Sequence, residues 1–198
     1  AEQSKRQSYI SNTWIPGDIR YADLNGDNVV NEGNSEKGPI NTLSNHGDKS
    51  IIGNETPRYR FNINLGLSWK NFDVRALFEG VLKRDLWLGN EVFWGFSGVW
   101  NSAINDYHVD NSWSEDNPNA YYPVPLFNSD RSRKTQTKYL QNASYIRLRD
   151  LTIGYTLPKK WLEPVGISQL KIFFSGQNLW EATGLYKYVD PDMTGNTY

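Results

Sequence analysis

From Tyr59 to Trp69 the chain alternates without exception: Tyr59, Phe61, Ile63, Leu65, Leu67 and Trp69 share one parity, and Arg60, Asn62, Asn64, Gly66 and Ser68 the other. A helix would scatter these apolar residues around its surface, whereas a strand gathers them on one face. After the polar pair Lys70-Asn71 the pattern resumes, with Phe72, Val74, Ala76 and Phe78 opposed to Asp73, Arg75 and Glu79. This predicts an antiparallel hairpin of Tyr59–Trp69 and Phe72–Leu82. Strands of globular proteins average about 5 to 6 residues, and these runs reach the roughly 9 to 11 that a tilted strand needs to cross hydrocarbon. The expectation is an all-β, antiparallel transmembrane barrel wall, with Phe61, Ile63, Leu65 and Leu67 towards lipid and Arg60, Asn62 and Asn64 towards the lumen.

A second pair follows near the end. Leu151, Ile153, Tyr155 and Leu157 alternate with Thr152, Gly154 and Thr156, and Leu170, Ile172, Phe174 and Gly176 alternate with Lys171, Ser175 and Gln177, Phe173 being the odd residue on the polar side. Between them PKKWLEPVGIS reads as a turn, because Pro158, Pro164 and Gly166 each interrupt regular structure. Ile146 and Leu148 are out of phase with Leu151, which predicts a bulge or a strand top projecting beyond the membrane. The hairpins are separated by Lys83 to Ala143, which holds no sustained period. Short turns alternating with one very long connection are the asymmetry of outer-membrane barrels, whose long loops are extracellular and functional.

Composition agrees with this reading and excludes several others. Trp, Tyr, Gly and Asn are plentiful and only 38% of residues are hydrophobic, low for a soluble core but natural for alternating strands and polar loops. No run approaches the roughly 20 apolar residues of a spanning helix, a test that does not address barrels. The net charge of −1 is spread along the chain, giving no footprint for a nucleic-acid backbone. Cysteine is absent, which removes disulfides, thiolate metal sites and a Cys nucleophile. His46 and His108 have no metal spacing between them, no Ser stands in a G-x-S-x-G context, and no phosphate loop is present, so nothing argues for an enzyme. The opening AEQSKRQSY lacks the apolar core of a signal peptide, so export requires a signal upstream of Ala1.

Two segments carry candidate sites. In DLNGDNVVNEGN, Asp23, Asn25 and Asp27 occupy positions one, three and five of an EF-hand-like calcium loop, with the Val29 carbonyl at seven, Asn31 at nine and Asn34 at twelve. Asn28 replaces the usual Gly at six, and Asn34 lacks the bidentate carboxylate, so a polar turn held by Asx hydrogen bonds stands as the alternative. The long loop concentrates Trp87, Phe93, Trp94, Phe96, Trp100, Tyr107, Trp113, Tyr121, Tyr122 and Phe127. Their flat rings suit sugar faces or a protein partner, with Trp94, Trp100 and Trp113 as stacking candidates and Asn101, Asn105 and Asp106 as hydroxyl ligands. The competing reading packs each ring into the loop's own small core or into an interfacial girdle.

The segments PGDIRYADLNGD, IIGNETPRYRFNINLGLSWKNFDVRALFEGV, NASYIRLRDLTIGYTLPKKWL and LKIFFSGQNLWEATGLYKYVDPD, in that order, resemble the C-terminal barrel of SusC/RagA-type TonB-dependent outer-membrane transporters. The resemblance covers Pro16 to Asp192 and implies that residues 1–198 are the C-terminal part of a large plugged barrel, without its plug and last strand. It further implies energising through TonB, a SusD-like surface lipoprotein as partner, and uptake of glycans or oligosaccharides, with peptides as cargo in some members. The family's usual Gly at Asn28 and its further strand beyond Asp190-Pro191-Asp192 are the two departures. A secreted, calcium-stabilised all-β carbohydrate-binding module is the competing class.

Overall fold

The computed structural model describes residues 6–95, 104–127 and 129–192, arranged as two compact units: Ala1–Ile52 with Leu88–Tyr139, and Gly53–Trp87 with Leu140–Tyr198. The second unit is built on the alternating segments. Strands β1 (Tyr59–Trp69) and β2 (Phe72–Leu82) pair antiparallel in unbroken register from Tyr59↔Leu82 to Trp69↔Phe72, as the alternation predicts. Two further long strands, β5 (Tyr145–Thr156) and β6 (Lys171–Thr183), complete a four-stranded antiparallel sheet in the order β1-β2-β5-β6. Each strand neighbours the next long strand in sequence, the up-and-down order of a barrel wall.

The register shows how one face stays apolar across all four strands. Ile63 pairs with Phe78 and Leu67 with Val74; Val74 then pairs with Ile153, and Ile153 with Phe174. Ile146 and Leu148 join this face through the expected bulge. Leu77 pairs with Asp150 but Phe78 with Leu148, so Arg149 is the extra residue and the parity of β5 switches there. On β6 the step from Gln177 to Trp180 passes over Asn178, which takes φ 51°, and Leu179. Among the described residues of the unit nothing covers the apolar face: Ile63 is 48% and Leu67 67% exposed. Among the described residues the sheet is open, and no helix is long and apolar enough to cross a membrane.

Between β5 and β6 the turn is more regular than its prolines suggest. It contains α3 (Lys159–Leu162), after the two helices of the first unit, followed by a 3-10 turn over Glu163–Val165. Pro158 occupies the N-cap position of the helix and Pro164 stands in the opening turn of the 3-10 segment, positions where a missing N–H costs nothing. At the opposite end of the sheet, Lys83 at φ 53° breaks β2, and the ladder resumes in β3 (Asp85–Trp87) paired with β4 (Leu140–Asn142). The Ala143 N–H donates to the Arg84 carbonyl at 2.8 Å between the two ladders.

The first unit gathers most of the long connection with the N-terminal segment. Two short helices, α1 (Glu91–Trp94) and α2 (Asp106–Asn111), are capped by Asn90 and Asn105, whose side-chain oxygens accept the Phe93 and His108 N–H groups. Phe93, Trp94, His108, Tyr122 and Tyr139 are buried together. Trp94 and Tyr139 meet edge-on at 4.8 Å and Phe93 and Tyr122 at 5.5 Å, while the Tyr122 and Tyr139 rings lie nearly parallel at 6.2 Å. Asp18, whose side chain is buried, ties the N-terminal segment to Arg131 at 3.0 Å and to the Ser132 hydroxyl at 2.9 Å.

Candidate functional site

Three groups of polar or aromatic residues bear on function, and the sequence foreshadows two of them. The one it does not foreshadow lies on the polar face of the sheet, at the end remote from the Lys70-Asn71 turn. There β5 presents Tyr145 and Arg147, flanked by Val81 and Glu79 of β2 and by Thr183 and Glu181 of β6. The Arg147 Nε donates to Glu181 at 2.7 Å and its Nη2 to Asp190 at 2.6 Å. Asp192 receives the Arg147 Nη1 at 2.5 Å and the Tyr145 hydroxyl at 2.6 Å. Arg149, the bulged residue, bonds Glu79 at 2.6 Å. Burial favours the neutral acid at Asp190, but the Asp192 N–H and Arg147 outweigh it and hold the carboxyl below its ordinary range. Pro191 is fully buried between these two carboxylates. The sequence signal for this network was Arg147 and Arg149 beside the bulge together with DPD, but strand parity alone does not reveal that a segment beyond β6 returns to β5.

The second group is the loop from Asp23 to Asn31. Asp23 accepts the Gly26 and Asn28 N–H groups, at 2.7 and 2.8 Å. Asn25 accepts from Asp27 N at 2.9 Å and Asp27 from Val29 N at 2.8 Å. Asn28 takes the left-handed φ of 68° that the loop requires. Asp23, Asn25, Asp27, Val29 and Asn31 are therefore brought into one tight turn. Asp48, which spacing could not point to, closes it from outside by accepting Leu24 N at 2.6 Å and Asn31 N at 2.8 Å. Asn34 is engaged elsewhere, since its Oδ1 accepts Glu36 N at 2.8 Å and caps the 3-10 turn Ser35–Lys37. Among the described residues no three His, Cys, Asp or Glu side chains form a metal cluster. A cation here would rely on two carboxylates, amide oxygens and the Val29 carbonyl.

For the third group, the aromatic loop, the structure corrects one expectation. Trp94 is not a sugar platform: its ring is 4% exposed and its Nε1 donates to the Leu88 carbonyl at 2.8 Å. The long connection, with the N-terminal segment beside it, has enough aromatic mass to build a core, and burying a ring there is favoured over leaving it wet. Trp100 and Asn101 lie outside the described residues. The Asn105 side chain is committed to the start of α2, where it and His108 form a reciprocal capping box. Asp106 is exposed in the first turn of that helix. Trp113 is half-buried, packed so tightly on Gly17 that a Cβ there would lie 2.4 Å from its Cε3.

Comparison with known proteins extends the geometry. No family model matches the chain. It is 32% identical over 183 residues to TonB-dependent receptor P3 of Formosa agariphila, a match covering 92% of this chain and 16% of that protein. TonB-dependent receptor P26 of the same organism is 22% identical over 198 residues, covering 93% of this chain and 17% of the relative. Among solved structures, the RagAB peptide importer in its closed-closed state matches with TM-score 0.52 and 27% identity over 75% of this chain and 16% of that one. A second structure, of the RagAB peptide transporter, gives TM-score 0.53 and 26% identity over 72% of this chain and 15% of that one. The chain spans about a sixth of the length of the curated relatives that it matches.

Proposed function

Because the chain belongs to the SusC/RagA-type TonB-dependent outer-membrane transporters, as a segment of the β-barrel, we propose that it forms part of the barrel wall of an importer of oligomeric nutrients. The observation that carries this is the apolar face, continuous across β1, β2, β5 and β6 and uncovered, opposite a polar face that holds a charged network. Water makes such a face costly, and hydrocarbon makes it stable. In this reading the apolar face meets outer-membrane lipid, the Lys70-Asn71 turn is periplasmic, and the Arg147 network lines the extracellular mouth of the lumen. Transport is energised through TonB by a part of the protein beyond this segment, and a SusD-like surface lipoprotein closes the mouth.

Peptides are the cargo that the observations favour. The similar solved structures are of a peptide importer and transporter, and the burial of Trp94 removes one ring from the proposed sugar platform. A mouth of paired arginines and carboxylates suits a zwitterionic oligomer, whose termini and side chains can exchange for the existing partners. Oligosaccharides are the second reading, resting on Trp113, Asp106 and the aromatic wealth of the loop. The Asp23–Asn31 turn is assigned a structural calcium ion in the same proposal.

The test uses the full-length transporter in its own bacterium, comparing the wild type with a strain deleted for it. The transporter should fractionate with the outer membrane, and peptides as sole nutrient should support growth only when it is present. Transporter-dependent growth on a defined oligosaccharide, with none on peptides, overturns the peptide assignment and favours glycans. Recovery of the protein in the soluble fraction overturns import and favours the secreted binding module.

A further inference from the structure

We propose that the turn between β5 and β6 is a lipid-binding foot that seats in a layer of anionic phospholipid headgroups. This rests on the reading of the sheet as a membrane wall. The register places Trp69, Phe72, Tyr155 and Ile172 in one row across all four strands, at the end of the sheet where both turns lie. Phe72 and Tyr155 touch, with ring centroids 4.6 Å apart, and the Lys70 ammonium stands 4.6 Å from the Trp69 centroid. Aromatic rings with nearby cations are the composition that an apolar-to-polar boundary selects.

The β5–β6 turn continues from this row. Leu162 packs inward at 3% exposed, while Trp161, Val165 and Ile167 stay outside at 66%, 66% and 44%. An indole and two branched side chains on a periplasmic turn have no stabilising role in water. Lys159 and Lys160 sit beside them, and among the described residues neither has an ion-pair partner. With Lys70 they outnumber Glu163, the acidic residue of this turn, because Lys171 is paired with Asp73 at 2.8 Å. Lysines over an apolar patch match a surface whose phosphates are wet and whose acyl chains begin just below. Continuity with the aromatic row and this charge balance both favour a lipid occupant over a protein one.

The chain has no cysteine, so the full-length transporter, with any cysteine elsewhere replaced by serine, can carry one polarity-sensitive fluorophore at Trp161→Cys or, as a second placement, at Val165→Cys. It is reconstituted in vesicles of phosphatidylethanolamine and phosphatidylglycerol doped with nitroxide lipids at shallow or deep positions. The expected result is blue-shifted emission at 161 and 165, quenched more by shallow than by deep nitroxides. The quenching should strengthen as phosphatidylglycerol rises, and lose that dependence in Lys159→Gln/Lys160→Gln. A label at Ile63→Cys reports the sheet independently and should show the reverse depth order. If Ile63 is quenched while 161 and 165 are red-shifted and unquenched, the foot is overturned and the barrel reading survives. Blue-shifted but unquenched emission at 161 and 165 means that the turn meets protein, which also overturns it. An unquenched label at Ile63 overturns the membrane wall itself.

Discussion

Arg147 on β5 reaches 43 positions along the chain to Asp190, its Nη2 donating to Oδ1 at 2.6 Å. The Arg147 side chain is 7% exposed, so removing it would leave Asp190, Asp192 and Glu181 crowded together without their shared cation. Arg147→Gln should therefore cost about 1–3 kcal/mol, below the full cost of breaking a buried pair because the carboxylates are partly solvated. Limited proteolysis should then cut between Leu185 and Asp192 where the wild type resists. Arg147→Lys should restore little, since an ammonium lacks the planar fork. The depressed Asp190 carboxyl sets the pH sign. Its stabilisation is present above the ordinary carboxylate range and is lost as pH falls through the lowered value, so acid should increase cleavage of the same segment.

Gly80 faces Phe61 across the β1–β2 ladder. A Cβ on Gly80 would lie 2.5 Å from the Phe61 Cζ and 2.6 Å from the Tyr145 carbonyl oxygen, and the latter is backbone that cannot step aside. Gly80→Ala should cost about 1–3 kcal/mol as overpacking. Gly66, in the middle of β1, has open space where its Cβ would be, so Gly66→Ala should change stability by less than about 0.5 kcal/mol. The heat needed to convert the folded electrophoretic band to the unfolded one should fall for the first variant and hold for the second.

The contrast between these two glycines shows what the sequence revealed and what it did not. Period-two alternation marked β1 and β2 to the residue, because exposure to two different solvents on two faces leaves a strict record in side-chain polarity. The phase slip at Ile146 and Leu148 announced the bulge for the same reason. Alternation says nothing about which strand end receives a returning segment, so the grip of Arg147 on Asp190 and Asp192 was not legible. Neither was the fate of Trp94. A ring in a long loop carries no periodicity, and whether it stacks on a sugar or on Tyr139 depends on residues that approach from distant parts of the chain.

Trp94→Ala should act as a core deletion, costing about 3–5 kcal/mol. The loss should appear as melting of the first unit, read by near-ultraviolet dichroism of the full-length protein. Asp106→Ala, at an exposed position in α2, should leave that transition within about 1 kcal/mol of the wild type. Unchanged melting on loss of the Trp94 ring would return it to the surface contacts.

Tyr139, whose hydroxyl donates to the Tyr121 carbonyl at 2.8 Å, and Tyr21, which donates to the Arg131 carbonyl at 2.7 Å, are both raised above the ordinary tyrosine range, chiefly by burial. The neutral phenols therefore favour the folded state up to the unfolded value, near pH 10, and that contribution is lost as pH climbs towards the folded ones. Alkaline titration should show tyrosinate absorbance from exposed tyrosines first. The remainder should appear only with unfolding, and Tyr139→Phe should move that second step to higher pH if folding survives the lost hydrogen bond.

Calcium at the Asp23 turn can be separated from the turn's own hydrogen bonds because the two need different features of one side chain. Asp23 accepts Gly26 N and Asn28 N through its two oxygens, and an asparagine oxygen can keep one of these bonds but brings no charge. With only Asp23 and Asp27 as carboxylates in the loop, affinity should fall in the range of extracellular modules, about 10⁻⁴–10⁻³ M. Millimolar calcium should therefore raise the melting temperature of the wild type, and a chelator should reverse it. Asp23→Asn should largely preserve the melting temperature in chelator while losing the calcium response. Asp23→Ala should lose the response and about 1–2 kcal/mol besides, the usual cost of unmaking side-chain caps on backbone N–H groups. A wild-type calcium response in Asp23→Asn would remove Asp23 from the ligands, and no response in the wild type would leave DLNGDNVVN as a turn that Asx hydrogen bonds and Asp48 hold without an ion.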